Sequence, residues 1–361
     1  MDRRTLLSAA GAAATLAAPH LASAQPRLAW RCVGSFPKSL DNFWGNHEFL
    51  CRRVAELTDG GLQIRPFAPG EIVPALQVLD AVSAGTVECG YTAGTYYVGK
   101  DPAMAFSTAL PFGLNTRQTW SWLHQAGGRE LLLPVFRDQG VHFITAGTTG
   151  AQMGGWFRKE IRAVEDLRGL KFRIAGIAGQ VFQRVGAVAQ QIAGTDIYPA
   201  LERGVIDGAE WSGPADDEKL GFHRIARYYY YPGWWEPGPA NDIGVNLRLW
   251  EGLPAQYRAA LEAACAEGFC HQGGRYDALN PPAMRRLLAQ GTQLRQFPRE
   301  VMGAFHRAAT QLYAEIGAAN PRFRQIFEHF DHFRADEQAW FRVAEDSFGN
   351  AMAQLAQLQP R

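Results

Sequence analysis

The segment that decides the fold is residues 169–211, GLKFRIAGIAGQVFQRVGAVAQQIAGTDIYPALERGVIDGAEW. In LKFRIA the apolar residues alternate with Lys171 and Arg173, which predicts a short strand that buries its apolar face and points Arg173 away from it. Residues 205–209 predict a second strand, which ends at Glu210. We therefore expect a cation and a carboxylate at the ends of two strands of one α/β layer.

The sequence before this segment predicts a β-α-β-α-β unit. Apolar runs at residues 28–33, 62–67 and 87–91 are typical of strands. The intervening residues 40–57 and 74–83 carry apolar side chains at helical spacing. A unit of this kind has a parallel sheet whose carboxyl ends face a ligand.

A partial internal echo indicates a second lobe of similar build. Residues 71–76 (EIVPAL) and 85–90 (GTVECG) resemble residues 196–201 (DIYPAL) and 204–209 (GVIDGA). Both pairs predict a helix with an early proline, a glycine stop and then a strand. Similarity of this kind also arises by chance between βαβ units, and that is the alternative explanation.

The predicted fold is therefore α/β, with two lobes and additional C-terminal helices. The first lobe comprises residues 25–147 and is completed by part of 243–285, and the second comprises residues 148–242. Residues 286–361 form C-terminal helices that span the lobes or bind a partner. Beyond Trp250 the pattern predicts helices without strands, at residues 254–270, 282–289, 299–316 and 335–358.

Residues 1–24 have the pattern of an export signal. Arg3 and Arg4 precede a short run of small apolar residues, and residues 22–24 (ASA) form a cleavage site. The arginine pair resembles a twin-arginine signal, although Ser8 stands where that pattern often has lysine, and the general secretory route is the alternative. We expect a periplasmic protein that begins at Gln25.

The charge of the mature chain excludes a nucleic-acid partner. Removal of residues 1–24 lowers the basic and acidic counts from 36 and 35 to 34 and 34. A neutral chain has no general field for a polyanion, so anion binding must be local to a site.

The cysteines and the motif pattern argue against other protein classes. Five scattered cysteines form neither a disulfide framework nor a C-x-x-C motif, although Cys265 and Cys270 are either helix core or a bond. The sequence contains no G-x-S-x-G, P-loop, H-E-x-x-H or G-x-G-x-x-G after a strand, so a periplasmic enzyme is a weak alternative.

Four residues have the chemistry of an anion and cation site. Arg173 can donate two hydrogen bonds to one carboxylate. Glu210 and the carbonyl of Trp211 lie at the same sheet edge, and oxygen ligands suit a hard cation. Gln152 follows a predicted strand at residues 141–145 and offers an amide oxygen.

An aromatic segment follows at residues 228–239, YYYYPGWWEPGP. It is either packed core or an apolar wall that dries a small pocket and holds Glu236 as an acceptor, and both can be true.

At these residues the chain resembles the solute-binding proteins of tripartite ATP-independent periplasmic (TRAP) transporters of the DctP type. GLKFR at 169–173 alone marks only the wider family, SFPKSL at 35–40 is a further match, and ALERGVID at 200–207 is a specific one. The motifs AEW at 209–211 and WWEPGP at 234–239 resemble the branch that binds 2-oxo acids such as pyruvate.

The resemblance implies a type II-like, two-lobed periplasmic binding protein with a hinge, which delivers a small organic anion to membrane subunits and performs no chemistry. Arg173 matches the arginine that takes the ligand carboxylate. Gln152, Glu210 and the Trp211 carbonyl match the ligands of a bridging cation, Na⁺ or another hard cation. The ligand, Na⁺, Arg173 and Glu210 sum to zero charge, whereas Glu236 adds one negative charge that needs a local donor.

The resemblance also implies a homodimer formed by exchange of a C-terminal helix, for which residues 335–358 are available. We predict Tyr96, Tyr97 and Phe67 as pocket walls. Residues 185–191 (VGAVAQQ) and 194–196 (GTD) depart from the family pattern beside the pocket, which leaves the ligand's size open. The alternatives are lactate or another 2-hydroxy acid, a dicarboxylate, an amino acid, a sugar acid, or a sensing role at a receptor.

Overall fold

The computed structural model describes residues 26–358, which form two α/β lobes around separate sheets. The predicted α/β class with two lobes is confirmed. The predicted export signal at residues 1–24 lies outside the described residues.

Eleven strands form the two sheets of the described chain. They are β1 (Leu28–Gly34), β2 (Leu62–Phe67), β3 (Cys89–Thr92), β4 (Val141–Thr148), β5 (Gly155–Phe157), β6 (Lys171–Arg173), β7 (Val188–Gln190), β8 (Gly208–Ala209), β9 (Tyr228–Tyr231), β10 (Ala240–Asn246) and β11 (Gln293–Gln296). The first sheet has the order β2-β1-β3-β10-β4, and the second has the order β11-β9-β5-β8-β6-β7.

Both sheets are mixed. In the first, β1 is parallel to β2 and β3, and β10 is antiparallel to β3 and β4. In the second, β6 is parallel to β7 and β8, β5 is antiparallel to β8 and β9, and β11 is parallel to β9. The parallel strands β6 and β8 therefore end at one edge of the second sheet, as the site requires.

Helices cover both sheets. Within residues 26–358 they are α1 (Asp41–Leu57), α2 (Val78–Ser83), α3 (Thr116–Gln125), α4 (Gly128–Arg137), α5 (Gly176–Arg184), α6 (Gly194–Glu202), α7 (Pro214–Leu220), α8 (Leu247–Gly252), α9 (Ala255–Ala289), α10 (Arg299–Ala319), α11 (Pro321–Phe341) and α12 (Ser347–Leu358). In α1, for example, Phe43, His47, Leu50 and Val54 recur at helical spacing and are all buried.

The chain crosses between the sheets three times. The β4–β5 connection and the β9–β10 connection cross directly, and α9 crosses on its way to β11. Helix α9 packs on β4 and α1 of the first lobe and on α7 of the second lobe. Loops at two of three crossings allow the lobes to rotate about a hinge.

The two lobes are in contact across the cleft. A side chain at Gly176, where φ is +64°, would collide with Thr95 of the first lobe. The Gln191 amide donates to the Tyr96 carbonyl at 3.2 Å. Lys219 of α7 also pairs with Asp41 of α1.

Four elements differ from the sequence prediction. The predicted helix at residues 335–358 is divided between the end of α11, which begins at Pro321, and α12. Strand β8 has two residues, because residues 205–207 only lead into it after the turn at Gly204. The C-terminal section contributes a strand, β11, where helices alone were expected. Helix α9 continues through Pro281 and Pro282, because residues on both sides of them, Tyr276 and Leu287, are fully buried and hold one helix axis.

Within the described residues, no helix combines the length and the apolar character needed to span a membrane.

Candidate functional site

The candidate site lies between the lobes, where segments of both lobes meet around a cavity of about 30 Å³. Arg173 ends β6, and Glu210 and Trp211 follow β8. Gln152 lies in the β4–β5 crossing and Glu236 in the β9–β10 crossing. The first lobe adds Tyr96, and further lining residues are Phe36, Phe43, Thr95, Thr108, Thr149 and Asn241.

The register of the second sheet places Arg173 beside Glu210. Arg173 is paired with Ala209 across the parallel strands β6 and β8, so Glu210 follows directly. The guanidinium donates from Nη1 to the Glu210 carbonyl at 3.0 Å and to the Glu210 carboxylate, and from Nε to the Ile192 carbonyl at 3.0 Å. Its Cζ lies 5.1 Å from the centre of the Trp211 ring, within the range of a cation–π contact.

The structure differs from one expectation about Glu210. The Arg173 side chain is 3% exposed, because the first lobe closes over the strand end. It bonds Glu210 directly, whereas we expected that glutamate to bind only a cation. The ion pair is buried on both sides, with 7% of the glutamate side chain exposed.

Glu236 has the local donor that its charge requires. Gln152 donates from Nε2 to the Glu236 carboxylate at 2.7 Å and to the Thr149 hydroxyl at 3.4 Å. The opposite end of this amide, Oε1, is buried and has no hydrogen-bond partner among the described residues. An amide oxygen without a partner in a buried site costs about 1–3 kcal/mol, so it is placed to accept from or coordinate a guest.

The electrostatics favour a further positive charge. Burial, followed by the negative charge of Glu210, raises the pKa of Glu236 to about 8. Burial likewise raises the pKa of Glu210, and the positive charge of Arg173 opposes this shift. Two carboxyl groups thus share one guanidinium in a dry site, and a cation would stabilise both in the ionised form.

The residues predicted to hold a cation are brought together. Gln152, Glu210 and Trp211 all line the cavity, and they offer amide, carboxylate and carbonyl oxygens. That donor set fits a hard cation such as Na⁺ or Ca²⁺.

Tyr96 lines the cavity, but the other two predicted wall residues lie elsewhere. Tyr97 belongs to the core of the first lobe, where its hydroxyl bonds Thr92 at 2.9 Å and accepts from the Leu79 amide at 3.3 Å. Phe67 ends β2, the outer strand of its sheet, and its ring lies 5.0 Å from the Arg65 guanidinium. An outer strand ends away from the crossing between the lobes, which is why Phe67 does not reach the cavity.

Sequence reasoning missed an aromatic wall made by the first lobe. Phe36 and Phe43 stack with ring centres 4.1 Å apart, and both rings meet the edge of Trp211 at 6.4 and 6.0 Å. The position of Phe36, directly beyond the carboxyl end of β1, could have revealed it. No comparable sequence pattern indicates Asn241, the second residue of the antiparallel strand β10.

A family model described as bacterial extracellular solute-binding protein, family 7 (DctP) matches residues 33–320 of the chain. Among curated proteins, the chain is similar to the monocarboxylate 2-oxoacid-binding periplasmic protein of Nostoc sp. strain PCC 7120. The two are 50% identical over 325 residues, which cover 90% of this chain and 89% of the relative.

Two solved structures are similar over most of the chain. A TRAP transporter solute-binding protein from Bordetella bronchiseptica is 48% identical with a TM-score of 0.91, covering 92% of this chain and 100% of that one. It is described as a mixed-occupancy dimer with calcium and picolinate in its active site. A TRAP periplasmic solute-binding protein from Pseudoalteromonas atlantica, with bound sodium and pyruvate, is 33% identical with a TM-score of 0.87, covering 90% and 99%.

Proposed function

Because the chain belongs to the DctP family of TRAP transporter solute-binding proteins, we propose that it binds a small 2-oxo monocarboxylate, pyruvate or 2-oxobutyrate, through Arg173 and a bridging hard cation. Members of this family are extracytoplasmic receptors that deliver small organic anions to membrane subunits. For this chain we infer the same role without chemistry, in the periplasm, after cleavage near Ala24.

The observation that carries the proposal is the charge imbalance around Arg173. One guanidinium faces the carboxyl groups of Glu210 and Glu236, and the Gln152 oxygen beside them has no partner. With Ca²⁺ and a monocarboxylate, the five charges sum to zero. With Na⁺ they sum to zero when Glu236 carries a proton, so both cations are compatible with a closed, dry site.

The number of basic residues favours a monocarboxylate over a dicarboxylate. Among the described residues that line the cavity, Arg173 is the only lysine or arginine. Lys38, in the segment after β1, pairs with Glu71 at 2.7 Å and is not among the lining residues. A second ligand carboxylate would therefore be buried without a partner, at a cost of several kcal/mol.

A 2-oxo oxygen explains why a cation takes part. A carboxylate oxygen and the adjacent oxo oxygen can bind one cation together, while Gln152, Glu210 and the Trp211 carbonyl supply its protein ligands. Arg173 fixes the carboxylate from the other side. Lactate and other 2-hydroxy acids offer the same pair of oxygens and are the alternative ligands.

Binding requires a movement of the lobes. The cavity of about 30 Å³ holds two or three water molecules at roughly 10–15 Å³ each, and a three-carbon acid together with its cation is larger. The crossings at residues 149–154 and 232–239 carry Gln152 and Glu236, so rotation about them opens and closes the site directly.

We also propose a homodimer that exchanges its C-terminal helix. Helix α12, the end of α11 and the residues between them expose large apolar side chains, each at least 48% exposed: Trp340, Val343, Phe348, Met352 and Leu355. A groove of about 620 Å³ lies between residues 110–113, α10 and α11. The exposed stripe and the groove have complementary apolar character, and the helix of a second copy would cover both.

A panel of thermal unfolding scans tests the ligand. Wild-type protein is heated with pyruvate, 2-oxobutyrate, lactate or succinate at millimolar concentration, each with Na⁺, with Ca²⁺ or after chelation. We expect a rise in Tm with the 2-oxo acids that exceeds the rise with succinate. Absence of any shift with a 2-oxo acid in either cation contradicts the proposal.

A further inference from the structure

The first lobe buries a cluster of soft metal ligands on the side of its sheet covered by α1. His47 and Cys51 lie one turn apart on the inner face of α1, and Cys32 lies on β1 beneath them. Cys89 on β3 is the register partner of Cys32, so both cysteines project from the same side of the sheet. The four residues are between 0% and 5% exposed.

The donor atoms of three of these residues have nearly the spacing of a metal site. One ligand atom each from Cys32, His47 and Cys51 lies within 4.8 Å of the other two. Tetrahedral zinc, with Zn–S of about 2.3 Å and Zn–N of about 2.0–2.1 Å, sets its donors about 3.5–3.8 Å apart. Side-chain rotations that close a gap of about 1 Å would complete the arrangement.

His47 has a buried ring nitrogen that lacks a hydrogen-bond partner in the described part of the chain. Nε2 of His47 is buried and has no hydrogen-bond partner among residues 26–358. An imidazole nitrogen is costly to bury in this way, and a cation would satisfy it. The ring itself is held in place by packing, with its centre 5.4 Å from that of Tyr91 and 5.3 Å from that of Trp44.

We propose that Cys32, His47 and Cys51 bind one thiophilic metal ion, Zn²⁺ by preference, and that Cys89, whose Sγ bonds the Arg31 carbonyl at 3.7 Å in the structure, turns to complete a Cys₃His set. Three thiolates, a neutral imidazole and Zn²⁺ sum to one negative charge, as in any Cys₃His zinc site. Thiolate and imidazole ligands favour zinc over the hard cations that suit the oxygen ligands between the lobes. The two metal sites are thus separated by chemistry as well as by position.

The metal would connect the core of the first lobe with its binding surface. Phe43, which lines the cavity, lies on α1 one turn before His47. A cation that joins α1 to β1 would hold this helix, and with it the aromatic wall formed by Phe36 and Phe43, in one position. The role is structural, since all four ligands are buried and no substrate reaches them.

Metal analysis of the full-length mature protein tests this site. After refolding with zinc and removal of free metal, we expect elemental mass spectrometry to find about one zinc ion per wild-type chain. The variant Cys51→Ser should lose it, whereas Cys270→Ser, which replaces an exposed cysteine outside the cluster, should retain it. Equal zinc content in the two variants, or none in the wild type, overturns the proposal.

A second measurement covers the case in which Cys51→Ser does not fold. Wild-type protein is unfolded in denaturant with a coloured zinc chelator, and its thiols are counted. We expect release of one zinc and five free thiols, and a Tm of zinc-depleted protein roughly 10 °C below that of the loaded form. Three free thiols would show a disulfide within the cluster instead, and an unchanged Tm would show that the ion is not part of the fold.

Discussion

Arg173 has to exchange partners when a ligand enters. In the structure it bonds the carboxylate and the carbonyl of Glu210, yet it is also the only basic residue among the described residues of the cavity wall. A cation that binds the Glu210 carboxylate would release Nη1 for the ligand. The buried ion pair is therefore best understood as one arrangement of a cluster that also includes the cation and the ligand.

Replacing Arg173 with methionine should abolish binding and leave the fold intact. Loss of one partner of a buried charged pair costs about 2–5 kcal/mol, so affinity for pyruvate should fall by at least about 30-fold. Isothermal titration calorimetry measures the affinity, and circular dichroism monitors the fold. Arg184→Met, which removes an arginine paired with Glu315 on the surface, should bind like the wild type. Micromolar affinity in Arg173→Met would remove this residue from its assigned role.

Gln152→Leu should lower the affinity for the cation and leave the fold intact. The substitution removes the unpaired Oε1 and also the donor to Glu236. We expect Ca²⁺ affinity, measured by calorimetry at saturating pyruvate, to fall by at least about 10-fold, the lower end of the effect of changes around metal ligands. The exposed Gln63→Leu is the control. Unchanged cation affinity would show that the amide oxygen is not a ligand.

Helix α12 leaves its apolar side chains without a covering surface in the part of the chain that the structure describes. Its apolar stripe, with Phe348 at 68% exposed, has no covering surface among the described residues of the same chain. Phe348→Asp should convert a dimer to a monomer, because a carboxylate in an apolar interface is buried without a partner. Size-exclusion chromatography with light scattering measures the molar mass in solution. Leu249→Asp, at an exposed site on α8, should leave it unchanged. A wild-type monomer at high concentration would contradict the exchanged dimer.

Strand β10 carries a buried carboxyl group that makes stability depend on pH. Burial raises the pKa of Asp242 to about 8, although its hydrogen bond from Ser107, 2.6 Å long, acts in the opposite direction. Since the folded protein holds this proton more tightly than the unfolded chain, the contribution is full below about pH 4 and is lost as pH rises toward 8.

The difference in the free energy of unfolding between the wild type and Asp242→Asn isolates this group. We expect wild-type stability minus variant stability to fall by roughly 5 kcal/mol between pH 4 and 8, about four pKa units at about 1.4 kcal/mol each, measured by denaturant titration at several pH values. The same change at exposed Asp196 serves as the control. A difference that rises with pH would reverse the assigned sign.

At the scale of the whole molecule, the two-lobed α/β fold was predictable from the sequence because its signals are local. Alternation in LKFRIA and helical spacing at residues 40–57 depend on the residues in each element and their burial. The C-terminal section was harder to predict. Strand β11 forms because β9 offers it a free edge, and α9 passes through two prolines because tertiary packing holds it.

The candidate site was also predictable only in part. Arg173, Glu210, Gln152 and Glu236 stand at strand ends or crossings, and sequence pattern and resemblance identified them before the structure showed that they line one cavity. The prediction placed Tyr97 and Phe67 at the cavity wall wrongly. The direction in which Tyr97 faces and the position of β2 in the sheet depend on the whole fold and not on the local sequence. The direct bond between Arg173 and Glu210 likewise depends on strand order, which no local pattern encodes.

The most direct test of the central claim is a calorimetric titration of pyruvate into chelator-treated wild-type protein, with and without an added cation. The account predicts no measurable binding in the absence of cation, and binding with one site per chain when Ca²⁺ or Na⁺ is restored. Binding of equal affinity without any cation would contradict the bridging role of Gln152, Glu210 and Trp211, and no binding of pyruvate with either cation would contradict the 2-oxo acid assignment.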